Sequence, residues 1–349
     1  MDNFSVIKIF FLSTLSFMVA MAWTPLLTHF LYKHRLCKQI RDEKSAPVYF
    51  RFHRKKAGTP TMGGLLIWVT VLGISSLFFL LGKICPLDIF QKLNFLTRSE
   101  TYLPLGALVA SALVGLADDL LNVRKIGPHG GGLKMRHRLV VYTFIALAGA
   151  YWFYFKLDWD VIRIPFLGNF EMGFWYIPLF IFIIVATSFS VNEIDGLDGL
   201  AGGVLLVIFA SYGAIAFSQG KMELATFCGV IIGALLAFLW FNISPARFFM
   251  GDTGAMSLGV TLGIVAMITN SALLLPIIGF LLVIESLSVI IQIVSKKIRG
   301  KKVFISTPIH HHFEAKGWPE PKIVMRFWVI AGVTAAVGLI IFLIDKGLS

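Results

Sequence analysis

Five aspartates stand where apolar runs begin or end. Asp118 and Asp119 close the run that starts near residue 101, Asp195 and Asp198 follow a stretch (176–191) with no charge, and Asp252 opens "GDTGA". A carboxylate near a bilayer core costs roughly 2.5 to 3.5 kcal/mol on insertion scales, so each acid must meet something that repays its place. Two adjacent carboxylates are not both comfortably ionised without a cation, and a helix C-terminus disfavours negative charge. Asp195 and Asp198 are three residues apart and would share one helical face, with Asn192 a turn earlier. Gly196, Gly199, Gly202 and Gly203 let backbone approach a ligand closely. Taken singly, each motif has a plainer account. A helix end can reach water, glycines can pack membrane helices, and Asp252 or Thr253 can cap a helix. Those accounts do not explain why every acid sits at the same edge.

The cations complete the pattern. Lys55 and Lys56, followed by the hydroxyls of Thr59 and Thr61, suit phosphate oxygens, although a lysine run before a membrane helix also serves as simple anchoring. His310, His311 and His312 invite zinc, but three consecutive side chains point in different directions and no HxxxH or HxH spacing accompanies them. Donation to phosphate or to a nucleobase fits them better. Glu285 lies deep in an apolar stretch with Gln292 two turns on, either a functional group or a neutral carboxyl bonded to a neighbouring helix. Cys37, Cys85 and Cys228 have no metal spacing, and a Walker lysine loop is absent. Many acids, few cations and no thiol or hydroxyl nucleophile with an evident base point to Mg²⁺-assisted phosphoryl transfer, since Mg²⁺ takes one or two carboxylates, water and substrate phosphate oxygens.

The elements that must carry these residues are membrane helices. The 349 residues are 57% hydrophobic and 14% charged, where a soluble chain is about a quarter charged. Ten apolar stretches approach or exceed the ~20 residues a crossing needs: 9–31, 61–82, 101–121, 139–155, 175–192, 200–218, 223–243, 254–271, 273–295 and 323–344. The expectation is an all-α polytopic membrane protein, one domain over 1–349, because lipid-exposed backbone must satisfy its own hydrogen bonds. Asn270 and Pro276 divide one long apolar run. Alternation around Leu167-Gly168-Asn169 predicts a small outward β-hairpin near 160–175. "VAMAW" (19–23) resembles a signal-peptidase site, but the apolar run continues to Tyr32 and the cations follow it, so the first helix is expected to remain.

The net charge of +12 is placed rather than spread. Of the 31 Lys and Arg, 23 fall in one alternating set of loops (32–60, 122–138, 193–199, 244–253 and 296–326). By the positive-inside rule that face is cytoplasmic and both termini are outside. Basicity is then mostly topology, with a remainder for anionic ligands or membrane lipids, and nucleic acid is excluded as a partner. All the polar clusters fall in the same loops. A cation or proton transporter would instead distribute acids through membrane depth and show inverted repeats, and no repeat is present. A scaffold would leave the acids idle.

In order along the chain, "KKAGTPTMGG", "ADD", "NEIDGLDGLAGG", "GDTGA" and "TPIHHHFE" resemble the phospho-N-acetylmuramoyl-pentapeptide transferase family, within the polyprenyl-phosphate sugar-1-phosphate transferases. The resemblance covers nearly the whole chain. It implies transfer of phospho-MurNAc-pentapeptide from UDP-MurNAc-pentapeptide to undecaprenyl phosphate, giving lipid I and UMP, at the cytoplasmic side of a multi-pass protein of the bacterial cytoplasmic membrane, with a homodimer as the family's form. The alternative within the group is a GlcNAc-1-phosphate transferase. By the same resemblance Asp252 binds Mg²⁺, Asp118 is base or nucleophile, and Asp119 is its partner. Asn192, Asp195, Asp198, Asn242 and Phe249 match the nucleoside pocket. Lys56, Thr61, His310, His311 and His312 match further substrate-binding positions, and Gln292 is a further substrate-binding candidate. Asn122 stands where the family has a lysine, which leaves Lys56 and Lys125 as the candidate diphosphate cations, and Glu193 and Ala255 also depart from the pattern.

Overall fold

The structure, a computed structural model, describes residues 3–37, 50, 52–97, 100–127 and 131–347, apart from the Lys55 side chain. The expectation for Lys55 therefore lies outside the described residues. Long helices dominate: α1 Asn3–Lys33, α2 Gly64–Ile84, α4 Tyr102–Val123, α5 Met135–Tyr151, α6 Tyr176–Ile194, α7 Leu200–Ser218, α8 Met222–Asn242, α9 Gly251–Ile268, α11 Phe280–Arg299 and α13 Glu320–Gly347. Short helices α3 Asp88–Leu93, α10 Leu275–Ile278 and α12 Ile309–Ala315 lie between them. Among the described residues nine helices are long and apolar enough to cross a membrane. A tenth crossing arises if the turn at 272–278 and α11, bent by 82° at Gly279, form one broken span. The break falls three residues after Pro276, at Gly279. The expected hairpin is present as β1 Val161–Ile164 and β2 Gly168–Glu171, antiparallel with Ile162 opposite Phe170.

Helix α9 is the axis of the bundle. All its residues from Gly251 to Ile268 are buried, and α4, α6 and α2 pack around it. Small residues make this possible: a Cβ on Gly259 would stand 2.7 Å from the Ser188 Cα of α6, so only glycine permits that approach. The hydroxyls of Ser257 and Thr261 bond to carbonyls four residues back, at 2.7 Å each, which satisfies them in a core without water. Large apolar side chains such as Phe10, Phe144, Phe182 and Val329 are exposed on the outside of the bundle. On a soluble protein such surface would aggregate; on a bilayer-spanning one it meets lipid.

The two ends of the bundle differ in chemistry. At one end, Lys8 of α1 bonds Glu223 (2.6 Å) and the Asn94 carbonyl (2.9 Å), while Arg163 of the hairpin pairs with Asp345 of α13 at 2.6 Å. The Asp345 end of α13 therefore lies at the hairpin, and Lys8 of α1 lies where α8 begins. The C-termini of α4 and α6 and the N-termini of α2 and α9 meet at the opposite end, and with them Asp118, Asp119, Asp195 and Asp252.

Candidate active site at the polar end of the bundle

The loop before α9 and the loop before α2 run side by side. Phe249 donates its N–H to the Pro60 carbonyl (2.8 Å), and Gly63 and Gly64 donate to the Phe249 and Met250 carbonyls (2.7 and 2.8 Å). This pairing sets Thr61 beside Gly251, whose φ of +72° suits glycine alone. A Cβ there would lie 2.6 Å from both Thr61 Oγ1 and Asp119 Oδ2. Gly115 of α4 permits the next approach, since a Cβ there would stand 2.4 Å from the Asp252 carbonyl oxygen. The glycines at these two positions thus bring the Asp118–Asp119 helix end against the first turn of α9.

The acids are held individually. Asp119 accepts from the Thr253 N–H (3.0 Å) and Thr61 Oγ1 (3.3 Å). Asp118 Oδ1 accepts from the Leu133 N–H at 2.6 Å. Asp252, in the first turn of α9 where a negative charge is favoured, accepts from Asn192 Nδ2 at 2.7 Å through Oδ1. Between them stands Arg138, from the start of α5. Its Nη2 donates to Asp252 Oδ2 (2.8 Å), its Nη1 to Asn192 Oδ1 (3.0 Å), and its Nε lies 2.7 Å from Asp118 Oδ2. That last contact is close but misaligned: Nε and Oδ2 are both buried with no aligned hydrogen-bond partner, so it is a charge contact rather than a hydrogen bond. Asp118 is fully buried.

A second charged cluster is built around Lys56. Its ammonium contacts Asp198 Oδ1 at 2.7 Å and Glu320 Oε1 at 2.6 Å, and lies 5.9 Å from the centroid of the Phe249 ring. Burial tends to lower the Lys56 pKa, but the Glu320 and Asp198 carboxylates outweigh it and hold the group above its ordinary value. Asp198 Oδ2 accepts the Ala246 N–H at 3.1 Å. Asn242 ties two loops together, accepting from the Gly199 N–H (2.9 Å) and donating to the Phe248 carbonyl (2.8 Å). Asp195 caps the C-terminus of α6, one residue past Ile194.

His310 and His311 face the interior. His310 Nδ1 pairs with Glu285 Oε2 at 3.0 Å, both fully buried, and the His310 ring packs on Gly196, where a Cβ would stand 2.2 Å from Nε2. Glu285, open to two readings from sequence, is thus bonded to a neighbouring segment. His311 and His53 share Glu314 Oε2, at 2.5 and 3.2 Å. Their donor atoms and the Glu314 oxygen lie within 4.8 Å of one another, and the hydrogen bonds account for that closeness without an ion. Gln292 holds the loop before α12, accepting from the Val303 and Phe304 N–H groups and donating to the Phe304 carbonyl. His312 Nδ1 accepts the Ile305 N–H at 3.2 Å.

The structure therefore brings Asp118, Asp119, Asp252, Asn192 and Thr61 into one group and Lys56, Asp198, Asn242 and Phe249 into another. Lys125 is exposed on the turn after α4, with a φ of +58°, and no described ion pair joins it to the acids. Two residues were missed in the sequence, Arg138 and Glu320. Arg138 sat among cations already explained by topology, and Glu320 reads as an ordinary first-turn acid of α13.

The sequence comparisons agree with this architecture. Residues 102–270 match the family model of glycosyl transferase family 4, so the bundle and its acid end define a membrane glycosyl transferase of that class. Residues 56–67, the segment from Lys56 through the glycine pair, match signature 1 of the phospho-N-acetylmuramoyl-pentapeptide-transferases. A transferase of that name from Clostridium perfringens is 40% identical over 330 residues, covering 93% of this chain and 96% of its own. Those from a Geobacillus species and from Chloroflexus aggregans are each 37% identical over 329 residues, covering 94% and 90% of this chain and 95% and 84% of their own. The chain belongs to the phospho-N-acetylmuramoyl-pentapeptide-transferase family.

Proposed function

We propose that this enzyme transfers phospho-MurNAc-pentapeptide from UDP-MurNAc-pentapeptide to undecaprenyl phosphate, forming lipid I and releasing UMP, at the cytoplasmic face of the bacterial cytoplasmic membrane. One observation carries the reading: Asp118 and Asp252, 134 positions apart in sequence, converge on a single guanidinium at the polar end of the bundle. The names of the relatives supply the substrate class, and the 23 cations on that side supply the orientation.

The residues present fit a divalent cation. Asp118 Oδ2 is buried without an aligned donor, and Asp252 Oδ2 faces the same guanidinium, giving the oxygen-only donor set that Mg²⁺ prefers. When bound, the metal supplies Lewis-acid neutralisation of the diphosphate. The chain supplies the rest. An oxygen of the lipid phosphate forms the new bond to the sugar-bearing phosphorus, and the bond from that phosphorus to the bridging oxygen breaks with its electron pair leaving on UMP. Asp118 either takes the proton of the lipid phosphate or makes the first bond to phosphorus itself. Asp119, fixed by Thr61 and the Thr253 N–H, holds the α4 end in place. Lys56, Asp195, Asp198, Asn242 and Phe249 take the nucleoside and its phosphates. His310, His311, His312 and Gln292 shape the 300–315 segment against the Gly196 loop. One phosphoanhydride replaces another, so no outside energy source enters.

The test is UMP release from two donors with the same lipid acceptor. Turnover with UDP-MurNAc-pentapeptide and almost none with UDP-GlcNAc is expected; the reverse preference would move the enzyme to the GlcNAc branch.

A further inference from the structure

The two catalytic-end acids share an arrangement that the transferase reading does not require. Each has one oxygen fixed by a neutral neighbour, Asp118 Oδ1 by the Leu133 N–H and Asp252 Oδ1 by Asn192 Nδ2. Each has its second oxygen turned toward Arg138. Arg138 grips neither acid with the parallel two-bond fork that guanidinium and carboxylate make at their most stable. It spreads over three acceptors instead, and its Nε contact to Asp118 is off line. A permanent structural ion pair would be expected to use the fork. A guanidinium spread in this way is a counter-ion to two carboxylate oxygens that other groups have already aimed at one point.

We propose that Arg138 is an exchangeable counter-ion that occupies the divalent-cation position between Asp118 and Asp252 in the empty enzyme and yields those two oxygens when the metal binds. The inference rests on the transferase reading in taking those acids as the metal's ligands. Removal of Arg138 leaves Asp118 Oδ2 and Asp252 Oδ2 still oriented, by Leu133 and Asn192, with no positive charge between them. Two uncompensated carboxylates at one buried point bind a dication more tightly, because the metal no longer displaces a cation to enter. A purely structural Arg138 predicts the opposite sign: losing it would let α5 and the acids drift apart, and metal affinity would fall. The side chain retains 16% of its exposure, so it has an open side toward which to move. Once displaced, its charge remains at the site and becomes available to the phosphates of the donor.

The measurement is Mn²⁺ affinity of the purified, substrate-free protein, read by electron paramagnetic resonance of free Mn²⁺ and by the metal-dependent shift in thermal unfolding. Arg138→Gln should bind Mn²⁺ at least tenfold more tightly than the wild type, and its lower metal-free melting temperature should recover more on metal addition. Arg138→Lys keeps the charge but cannot span three acceptors, so its affinity should fall between the two; it also serves if the glutamine variant does not fold. Equal or weaker Mn²⁺ binding in the variants overturns the proposal, as does the lack of binding in all three proteins. Failure of the transferase reading is seen separately, as absence of UMP release from the wild type supplied with both substrates.

Discussion

Lys56 Nζ stands 2.6 Å from Glu320 Oε1, and the same oxygen accepts the Asp198 backbone N–H at 2.7 Å. One carboxylate oxygen, from the first residue of α13, thus fixes both the lysine of the signature segment and the loop that carries Asp198. Glu320→Ala should therefore weaken nucleotide binding about tenfold by releasing both. Lys56→Ala, which removes a preorganised cation, should cost ~2 to 4 kcal/mol of transition-state stabilisation, a fall of roughly thirty- to a thousand-fold in turnover. Calorimetric UMP binding and steady-state rates separate the two effects. Because the Lys56 pKa is raised, its contribution is complete below its ordinary value and is lost only as pH rises through the higher, folded one. Activity loss from Lys56 should be absent below about pH 10.

Among the described residues, Arg138 rather than Lys125 contacts Asp118 and Asp252. Arg138→Ala should lower kcat by roughly thirty- to a thousand-fold, on the same electrostatic argument. Lys125→Ala, on an exposed turn, should change it by less than about fivefold, since exposed charges contribute about 1 kcal/mol or less. Equal losses in the two variants would mean that Lys125 reaches the substrate in the loaded enzyme.

Asp252→Asn should abolish metal-dependent turnover, because an amide oxygen is a poorer ligand for a hard dication. Asp118→Asn should lose activity while keeping nucleotide affinity close to wild type. Titration of UMP and Mg²⁺ into both variants is the check: each should bind Mg²⁺ more weakly, having lost one of the two oxygens turned toward Arg138, while UMP affinity of Asp118→Asn stays near wild type.

Stability should fall with pH through the His53–His311–Glu314 cluster. Burial and the neighbouring His310 pull His311 down to about 3, and although burial favours protonated Glu314, its bonds from His311 and His53 bring it down to about 2. Below the ordinary imidazole range the unfolded chain binds the His311 proton and the folded one does not. Stability is then complete above about pH 6.5 and declines toward pH 3, by up to about 1.4 kcal/mol per unit. The Glu314 contribution has the same sign but is lost only as pH falls from about 4.5 toward 2. His310 has the opposite slope, because Glu285 outweighs the burial that would lower it. His311→Gln should be less stable at pH 7 and flatter between pH 6.5 and 4.5 than the wild type, with the His310 contribution common to both. Parallel melting curves against pH would remove His311 from the account.

A cysteine at Val303, 50% exposed in the loop before α12, should react with impermeant thiol reagents only from the cytoplasmic side. The exposed loop is a better reporter than His310 or His311, which are buried. Labelling from outside intact cells would invert the orientation and move the site with it.

The helices and the acids were legible in the sequence because both follow local rules. Hydropathy sets each crossing, and a carboxylate at the end of an apolar run needs a reason wherever it occurs. The long-range partners were not legible. Arg138 lies 114 residues from Asp252, in a basic stretch that the positive-inside rule already explained, and nothing in its spacing marks it as a clamp. Lys125 was the nearer cation in sequence, but the turn after α4 carries it into solvent. The histidines were read as donors to a ligand from the cations near them and from the family likeness; the contacts of His310 and His311 to Glu285 and Glu314 were not legible. Glu285 could be resolved only once α12 was placed against α11.

The most direct measurement is UMP release from UDP-MurNAc-pentapeptide by the purified wild-type protein, with undecaprenyl phosphate and Mg²⁺ each supplied or withheld. The account predicts sustained release only when both are present, with lipid I formed in equal amount. Sustained release without the lipid acceptor, or no release with both supplied, would contradict it.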